Sequence, residues 1–209
     1  TGRGIPNYLG AAAISPDGRF AWVPSKQDNI KRGKQRDGQD LTHDSAVRSI
    51  VSRINLGTNA EDLASRVDFN DAGIAKAAAF DPRGIYLFVA HEGGREVAVV
   101  DAWNRAEIAR FVTGRAPQGL VVSPDGSKLY VTNFMDRSVT VHDLSNLQAG
   151  GNASITTAAT MRAVTVEKLT AQVLLGKQHF YDSRDPRIAL QQYISCAACH
   201  DERGALGHT

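Results

Sequence analysis

A hairpin pattern built on proline and glycine occurs three times in the chain, and it restricts the possible folds more than any other feature. Each copy has an apolar run, a polar turn and a second apolar run; the copies are Ile14–Val23, Phe80–Val89 and Val122–Val131. Proline fixes φ at the second position of the turn and glycine supplies the conformation that the last position needs, so each copy predicts a β-hairpin. The prolines of the last two copies, Pro82 and Pro124, are 42 residues apart. That period is typical of a β-propeller blade with four short strands.

The remaining strands of each blade can be placed from the apolar runs between turns. We predict the third and fourth strands of the second blade at Glu96–Asp101 and Ala106–Val112, and the third strand of the last blade at Ser138–Asp143. Ser154–Thr160 is a candidate for the outer strand of that blade. The predicted fold is therefore mainly β, a partial β-propeller with about three four-stranded antiparallel blades over residues 1–150.

The first blade is predicted to contain an insertion. Pro16 and Pro82 are 66 residues apart, 24 more than the period of the later copies. Residues 25–45 are rich in basic and polar side chains and poor in apolar ones, and a strand pattern resumes at Val47–Ile54. We predict that this polar segment projects from the blade, either as a solvated loop or as a docking surface for a partner or for the C-terminal segment.

The last copy of the pattern resembles a known type of repeat. Ala116–Leu120 leads into Leu129–Phe134, and together they are similar to the YVTN family of β-propeller repeats. The resemblance covers most of residues 5–150. It implies a blade architecture and says little about a ligand, since propellers host unrelated functions.

A different kind of motif lies near the C-terminus, at Cys196-Ala197-Ala198-Cys199-His200. A C-x-x-C-H sequence is the attachment signature of a c-type haem. One helical turn puts both cysteines on the same face, where their thiols can form thioethers with the two vinyl groups of one porphyrin. His200 can then bind the iron as the proximal ligand. We predict at least one covalent haem c at Cys196 and Cys199, with the sixth ligand unassigned.

Three other interpretations of the cysteine pair remain open. A structural zinc site usually takes four ligands in two separated pairs, and the chain offers no second cysteine pair and only His208 nearby. A thioredoxin-like dithiol needs a βαβ setting, whereas the flanking sequence is typical of a helix and a polar turn. A disulfide between Cys196 and Cys199 would close a very small loop and gain little from chain entropy.

Between the repeats and the motif, the apolar residues change to a helical spacing. The stripe consists of Val166, Leu169, Val173 and Leu174. Thr165 is the predicted N-cap, Glu167 lies near the positive end of the helix dipole, and Gly176 is predicted to end or loosen the helix.

Two C-terminal segments, Leu175–Arg187 and Tyr193–His200, resemble the opening of the di-haem cytochrome c peroxidase and MauG-like family. That opening has a Leu-Gly-Lys-x-Leu-Phe-aromatic-Asp-x-Arg element and then Ser-Cys-x-x-Cys-His; the resemblance spans about residues 166–204, with His179 where the family usually has leucine. It implies that residues 151–209 are the N-terminal part of an α-helical c-type cytochrome domain, with a second haem in downstream sequence. It also implies a candidate peroxidase-like oxidoreductase, although the family's catalytic residues lie further downstream, so none is assigned.

The other histidines and the methionines are weaker candidates for a haem ligand. The histidines in or beside strands and loops are predicted to have hydrogen-bonded structural roles; they are His43, His91 and His142. Nothing in the spacing of Met135 or Met161 favours axial ligation. His179, 17 residues before Cys196, is predicted to be a surface or packing residue.

Composition restricts the function classes. The chain is 42% hydrophobic and 22% charged, with no long apolar run and a net charge of +2, so we predict no membrane span and no nucleic-acid partner. Haem c attachment places the protein in the bacterial periplasm or outside the cell. The leading prediction is a c-type haem protein for redox chemistry or electron transfer, with a redox partner protein or a small oxidant. The alternative is a propeller module for binding or surface adhesion, whose haem is only an electron relay or structural.

The sequence also predicts that further chain or subunits complete both the propeller and the haem-binding segment. Closed propellers need four or more blades, and three would leave strand edges unpaired. Nine residues follow His200, too few for the helices that would bury a haem. We therefore expect further chain or subunits at both places.

Overall fold

The computed structural model describes residues 5–28, 40, 47–151 and 154–200. These residues form three antiparallel sheets and two α-helices. The strands are β1 (Pro6–Asn7), β2 (Ala13–Ile14), β3 (Phe20–Asp28), β4 (Val47–Asn55), β5 (Ala60–Glu61), β6 (Val67–Phe69), β7 (Ala75–Phe80), β8 (Tyr86–His91), β9 (Glu96–Asp101), β10 (Ala106–Val112), β11 (Pro117–Val122), β12 (Lys128–Asn133), β13 (Ser138–Asp143) and β14 (Thr156–Arg162). The helices are α1 (Ser145–Gln148) and α2 (Ala171–Phe180), and two 3-10 turns lie at Leu63–Ser65 and Cys196–Ala198.

The first sheet has six strands, with two short strands along each edge of a central hairpin. Its centre is the long β3–β4 hairpin, in register from Phe20 opposite Asn55 to Asp28 opposite Val47. β1 and β2 pair with β3 and form the inner edge, while β5 and β6 pair with β4 and form the outer edge.

The second and third sheets have the predicted four-stranded pattern, in the orders β10-β9-β8-β7 and β11-β12-β13-β14. The strands predicted at Glu96–Asp101, Ala106–Val112 and Ser138–Asp143 are confirmed with the same bounds. β14 lies two residues further along than the predicted Ser154–Thr160 and pairs with β13, so the third sheet extends to Arg162. The mainly β part of the predicted fold class is therefore confirmed.

The three proline-glycine turns form as the sequence predicts. Gly18, Gly84 and Gly126 all have φ between 70° and 74°, a region that side chains with a Cβ rarely adopt. In each turn the glycine N–H donates to the carbonyl of the residue three positions earlier, at 2.8 to 2.9 Å. Glycine at these positions therefore lets each pair of inner strands reverse tightly.

The core lies between the sheets, because the middle strands are buried on both faces. Leu87 and Val89 of β8 pack with Trp22 and other residues of the first sheet. Phe88, the residue between them, packs with Leu129 of the third sheet. The alternation of side chains along β8 thus joins three sheets into one stack.

The predicted bounds of the polar insertion are wrong at its start. Residues 25–28 belong to β3, and Lys26 and Gln27 are buried there. Polar side chains are tolerated at these positions because they have partners: the Lys26 ammonium lies 4.2 Å from the centre of the Tyr8 ring, and Gln27 Oε1 accepts a hydrogen bond from Arg66. Of the rest of the insertion, residues 29–39 and 41–46 lie outside the described part of the chain.

The predicted helix start is also wrong. α2 begins at Ala171, with Thr170 as the N-cap, whose hydroxyl accepts a hydrogen bond from the Val173 N–H. The preceding segment is not helical, because the Glu167 carboxylate pairs with Arg137 and accepts the Leu169 N–H. Gly176 lies inside α2 and does not end it.

Helical structure between residues 163 and 200 is limited to α2 and the 3-10 turn at Cys196–Ala198. The α-helical cytochrome c segment is not shown by this arrangement and stays a prediction. Among the described residues, no helix is both long enough and apolar enough to span a bilayer.

Candidate functional site

The C-x-x-C-H motif forms one tight turn that has a buried side and an exposed side. The Cys199 N–H and the His200 N–H both donate to the Cys196 carbonyl, at 3.2 and 3.0 Å. Ala197 and Ala198 are buried, whereas Cys196, Cys199 and His200 are exposed. Both cysteines are free, and both line the same groove. The turn therefore presents the three groups that the motif predicts for haem attachment toward solvent.

The alanine side of the turn is held against the sheets. Ala197 packs in a cluster with Ala116, Met135 and Tyr181. Tyr181 also makes an edge-to-face contact with Phe134, with ring centroids 5.7 Å apart. Phe134 and Met135 belong to the β12–β13 turn and Ala116 directly precedes β11, so the third sheet supports the buried side of the motif.

A second anchor comes from the Tyr-Asp-Ser-Arg sequence that follows α2. The Asp182 carboxylate accepts hydrogen bonds from both Arg95 Nε and Arg95 Nη2 in the β8–β9 turn. The Ser183 N–H donates to the Gly93 carbonyl at 3.0 Å, and Arg184 lies 3.7 Å from the Glu96 carboxylate. The aromatic-Asp-x-Arg element is therefore the part of the C-terminal segment that binds the second sheet.

Gly93 faces two serine side chains of the C-terminal segment. A Cβ at Gly93 would lie 3.2 Å from both Ser183 Oγ and Ser195 Oγ. The sequence identifies Gly93 and Gly94 only as a hairpin turn, and that turn is present. Its contact with the C-terminal segment could not be read from the sequence, because the partners are about 90 residues away.

An apolar groove of about 410 Å³ lies beside the two thiols. Its wall includes Ile188, Leu190 and Ile194, and Leu190 is 80% exposed. An exposed apolar wall in the same groove as two free thiols, with an exposed histidine next to Cys199 in sequence, suits a flat, largely apolar prosthetic group, so these residues fit a haem c. Among the described residues, no three histidine, cysteine or acidic side chains are grouped as a metal site.

Tyr193 is a residue of this groove that the sequence did not single out. It is almost fully buried, and burial raises the pKa of its phenol to about 12, with the nearby Arg48 guanidinium opposing that rise. None of the described residues forms a hydrogen bond with its hydroxyl. The phenol therefore stays protonated, and Tyr193 lines the same groove as Cys196 and Cys199.

The other histidines that the structure describes lie away from the motif or at its edge. Burial lowers the pKa of His91 well below its usual value, and that of His142 to about 4. His91 Nδ1 is 3.0 Å from Ser49 Oγ, and His142 Nε2 is 3.0 Å from Thr140 Oγ1, which agrees with structural roles. His179 Nδ1 lies 3.9 Å from an Asp185 carboxylate oxygen at the partly exposed end of α2. His43 and His208 lie outside the described residues.

The two methionines differ in position. Met135 is buried on the alanine side of the motif, in the cluster with Ala197 and Tyr181. Met161 is 47% exposed on β14. Met135 is therefore a packing residue behind the turn, and it does not face the side that carries the thiols.

Comparison with known proteins identifies the architecture. No protein-family model matches the chain, and no curated protein sequence matches it either. Similar solved structures include hydrazine synthase of Kuenenia stuttgartiensis, with 20% identity, a TM-score of 0.53, and coverage of 65% of this chain and 45% of that one. The WD40 repeats of RRP9 have 14% identity and a TM-score of 0.54, with 77% and 40% coverage. The structure of U3-55K has 14% identity and a TM-score of 0.54, with 78% and 42% coverage.

The fold is a partial β-propeller. WD40 repeats are propeller blades, and the second and third sheets of this chain have the same four-stranded antiparallel design, while the first sheet has six antiparallel strands. The chain spans less than half the length of each of these structures. At these identities the likeness shows the fold alone, so the propeller does not by itself identify a ligand or a reaction.

Proposed function

We propose that this chain is part of a periplasmic or exported c-type haem protein that acts in redox chemistry or electron transfer. In this proposal Cys196 and Cys199 hold the haem through thioethers and His200 is the proximal iron ligand. The observation that carries the proposal is the C-x-x-C-H turn, which presents two free thiols and an imidazole on its exposed side, next to an apolar groove.

Haem supplies one-electron chemistry at its iron when it is bound. The chain's own contribution is to hold and shield that group. Covalent tethering prevents loss, and the groove wall at Ile188, Leu190 and Ile194 would exclude water from one edge of the ring. The Asp182–Arg95 pair and the packing of Tyr181 fix the turn on the propeller. The site is thus attached to a rigid body, which favours a defined position for electron transfer.

The finer proposal is that the C-terminal segment begins a cytochrome domain similar to the di-haem cytochrome c peroxidases and MauG-like proteins. It rests on the family resemblance together with the docked aromatic-Asp-x-Arg element at Tyr181–Arg184. The resemblance also implies a second haem and a peroxidase-like activity, and neither is assigned to a residue of this chain. The Kuenenia stuttgartiensis protein is a hydrazine synthase by name, so a propeller of this kind is compatible with an enzyme, and its reaction is not carried over.

An optical experiment tests the proposal. The chain should be exported in a bacterial host that has the c-type maturation system, purified, and examined with and without dithionite. We expect a haem c spectrum with sharp reduced bands, and a colourless product from the Cys196→Ser/Cys199→Ser double variant. The control is Gln191→Ala, which changes an exposed residue of the same groove and should leave the spectrum unchanged. A parent protein without haem, or a coloured double variant, would contradict covalent attachment at these cysteines.

Carbon monoxide binding distinguishes the two functional classes within this proposal, an enzyme and an electron-transfer protein. An iron with an open sixth position should bind carbon monoxide when reduced, which favours an enzyme. An iron with two strong-field axial ligands should not, which favours electron transfer. The alternative function, a propeller-based binding module, is favoured by a separate cavity between the first two blades.

A further inference from the structure

A cavity of about 520 Å³ lies between the first two blades, at the opposite end of the strands from the motif. Its rim is formed by the β2–β3 turn, the β7–β8 turn and the β9–β10 turn, which contribute Asp17, Arg83 and Trp103 among others. The C-terminal segment instead contacts the β8–β9 and β12–β13 turns, which lie at the other end of the antiparallel strands. The cavity is therefore separate from the proposed haem site.

The cavity has a strongly basic lining of four arginines: Arg19, Arg53, Arg83 and Arg105. Two of them have acidic partners, since Arg53 lies 3.6 Å from Asp62 and Arg83 lies 3.4 Å from Asp81. The other two, Arg19 and Arg105, form no ion pair within the described part of the chain. Arg105 donates to Ser65 Oγ at 3.3 Å, and the Arg19 guanidinium lies 5.5 Å from the Phe20 ring centre. Two cationic side chains are thus available to an anion.

One carboxylate lines the cavity within the described residues, and it is already engaged. Asp17 Oδ1 accepts hydrogen bonds from Ser15 Oγ at 2.6 Å and from the Arg19 N–H at 3.0 Å. These bonds lower the pKa of Asp17, the one to Ser15 most. Asp17 therefore stays ionised and holds the turn, and the arginines outnumber it.

Aromatic rings form the rest of the wall. Both tryptophans of the chain line this cavity. Trp22 is buried and makes an edge contact with Phe80, with ring centroids 6.3 Å apart, while Trp103 is 87% exposed. Arg53 stacks over Phe20 with its guanidinium carbon 3.6 Å from the ring centre. An exposed indole beside stacked arginines is a surface on which a flat ring can bind.

We propose that this cavity binds a small anion with a flat aromatic body, of the class of aromatic carboxylates and sulfonates. The anionic group would pair with Arg19 and Arg105, and the ring would pack against Trp103. The volume lies within the range of small-molecule sites, roughly 300 to 1,000 Å³. This site is independent of the haem and adds a ligand-binding role for the propeller.

Calorimetric titration of the full chain with naphthalene-2-sulfonate tests the proposal. We expect saturable binding that weakens as salt rises. In NMR spectra of the same mixture, the indole N–H resonances of Trp22 and Trp103 should shift. The Arg19→Gln/Arg105→Gln variant should bind at least about tenfold more weakly, because two charge-assisted contacts are lost. Neutral naphthalene-2-sulfonamide should bind the parent about tenfold more weakly as well, for the same reason.

Two controls make the result decisive. Arg162→Gln removes an exposed arginine of β14, outside this cavity, and should leave the affinity unchanged. Trp103→Ala removes an exposed ring, so it should keep the fold and weaken binding. The absence of saturable binding to the parent would overturn the proposal, as would equal affinity of the parent and the double-arginine variant. Equal affinity for the sulfonate and the sulfonamide would also overturn it, even if the double variant did not fold.

Discussion

At the scale of single residues, the ion pair between Arg95 and Asp182 connects parts of the chain that are 87 residues apart in sequence. Both Arg95 nitrogens that face Asp182 donate to its carboxylate, and the Asp182 side chain is almost fully buried. Hydrogen bonds to a charged group contribute about 1.5–3 kcal/mol when they are buried. This pair should therefore be a main determinant of how the motif sits on the propeller.

Substitution of that aspartate gives the first prediction. Asp182→Asn should lower the free energy of undocking residues 171–198 by roughly 1–3 kcal/mol, because the charge is lost while the shape is kept. Amide hydrogen exchange of the segment measures this. Asp185→Asn is the control: its partner Arg187 is mostly exposed, so exchange should change little. Equal exchange in the parent and in Asp182→Asn would contradict the docking role.

The close approach at Gly93 gives the second prediction. Gly93→Ala should destabilise the protein by about 1–3 kcal/mol, because the new methyl group crowds Ser183 and Ser195. The same substitution at Gly176 meets open space inside α2 and should stabilise by about 0.5–1 kcal/mol. Urea unfolding of both variants measures the difference, and effects of the same sign would show that the Gly93 contact is not tight.

Buried histidine gives the third prediction, a loss of stability in mild acid. The pKa of His142 is lowered to about 4 in the folded protein by burial, from about 6.5 when unfolded. Between these values the unfolded chain binds the extra proton, so the free energy of unfolding falls as pH falls from about 6.5 to 4. His142→Gln should reduce this fall, measured by urea unfolding at pH 7 and pH 5. An unchanged slope in His142→Gln would contradict the assignment.

At the scale of elements, the cap of α2 gives the fourth prediction. Thr170→Ala should destabilise α2 by about 1 kcal/mol, because the Val173 N–H loses its partner. Thr165→Ala should have little effect, because residue 165 lies before the helix. Hydrogen exchange at residues 171–175 distinguishes the two threonines. If Thr165→Ala increased exchange at these residues more than Thr170→Ala did, the result would support the longer helix that the apolar stripe predicts.

The elements that the sequence predicted well are those that local chemistry determines. β9 and β10 have their predicted bounds because each is a short, largely apolar run that lies between turns. The start of the insertion could not be predicted, since Gln27 is stabilised in β3 by Arg66, 39 residues away. The helix start was missed for a similar reason: Glu167 is held by Arg137 of the third blade and not by the helix. At both places, contacts with residues distant in the sequence determine the structure, and the local sequence pattern does not.

The candidate site also contains some residues that the sequence identifies and others that only the structure identifies. Cys196, Cys199 and His200 could be identified from spacing alone, because thioether attachment depends on residues within one turn. Tyr193 and Gly93 could not, because their importance arises from burial and from contacts between segments far apart in sequence. The basic cavity between the blades is also invisible in the sequence, since its four arginines come from separate turns and strands.

At the scale of the whole molecule, the propeller has two ends with different properties. The C-terminal segment docks on turns of the second and third blades, and Tyr8 of the first blade donates to the Cys199 carbonyl at 3.1 Å. All three blades therefore contribute to the position of the motif. The arginine and tryptophan cavity lies at the other end. This separation means that the proposed haem site and the cavity can be altered independently by mutation.

The mass of the denatured chain shows whether haem is covalently attached at Cys196 and Cys199. After export in a host with the c-type maturation system and unfolding in acid-acetone, the account predicts a coloured polypeptide heavier than the bare chain by one haem. Cys196→Ala/Cys199→Ala should have the mass of the bare chain. A colourless parent chain at the bare mass would contradict the account.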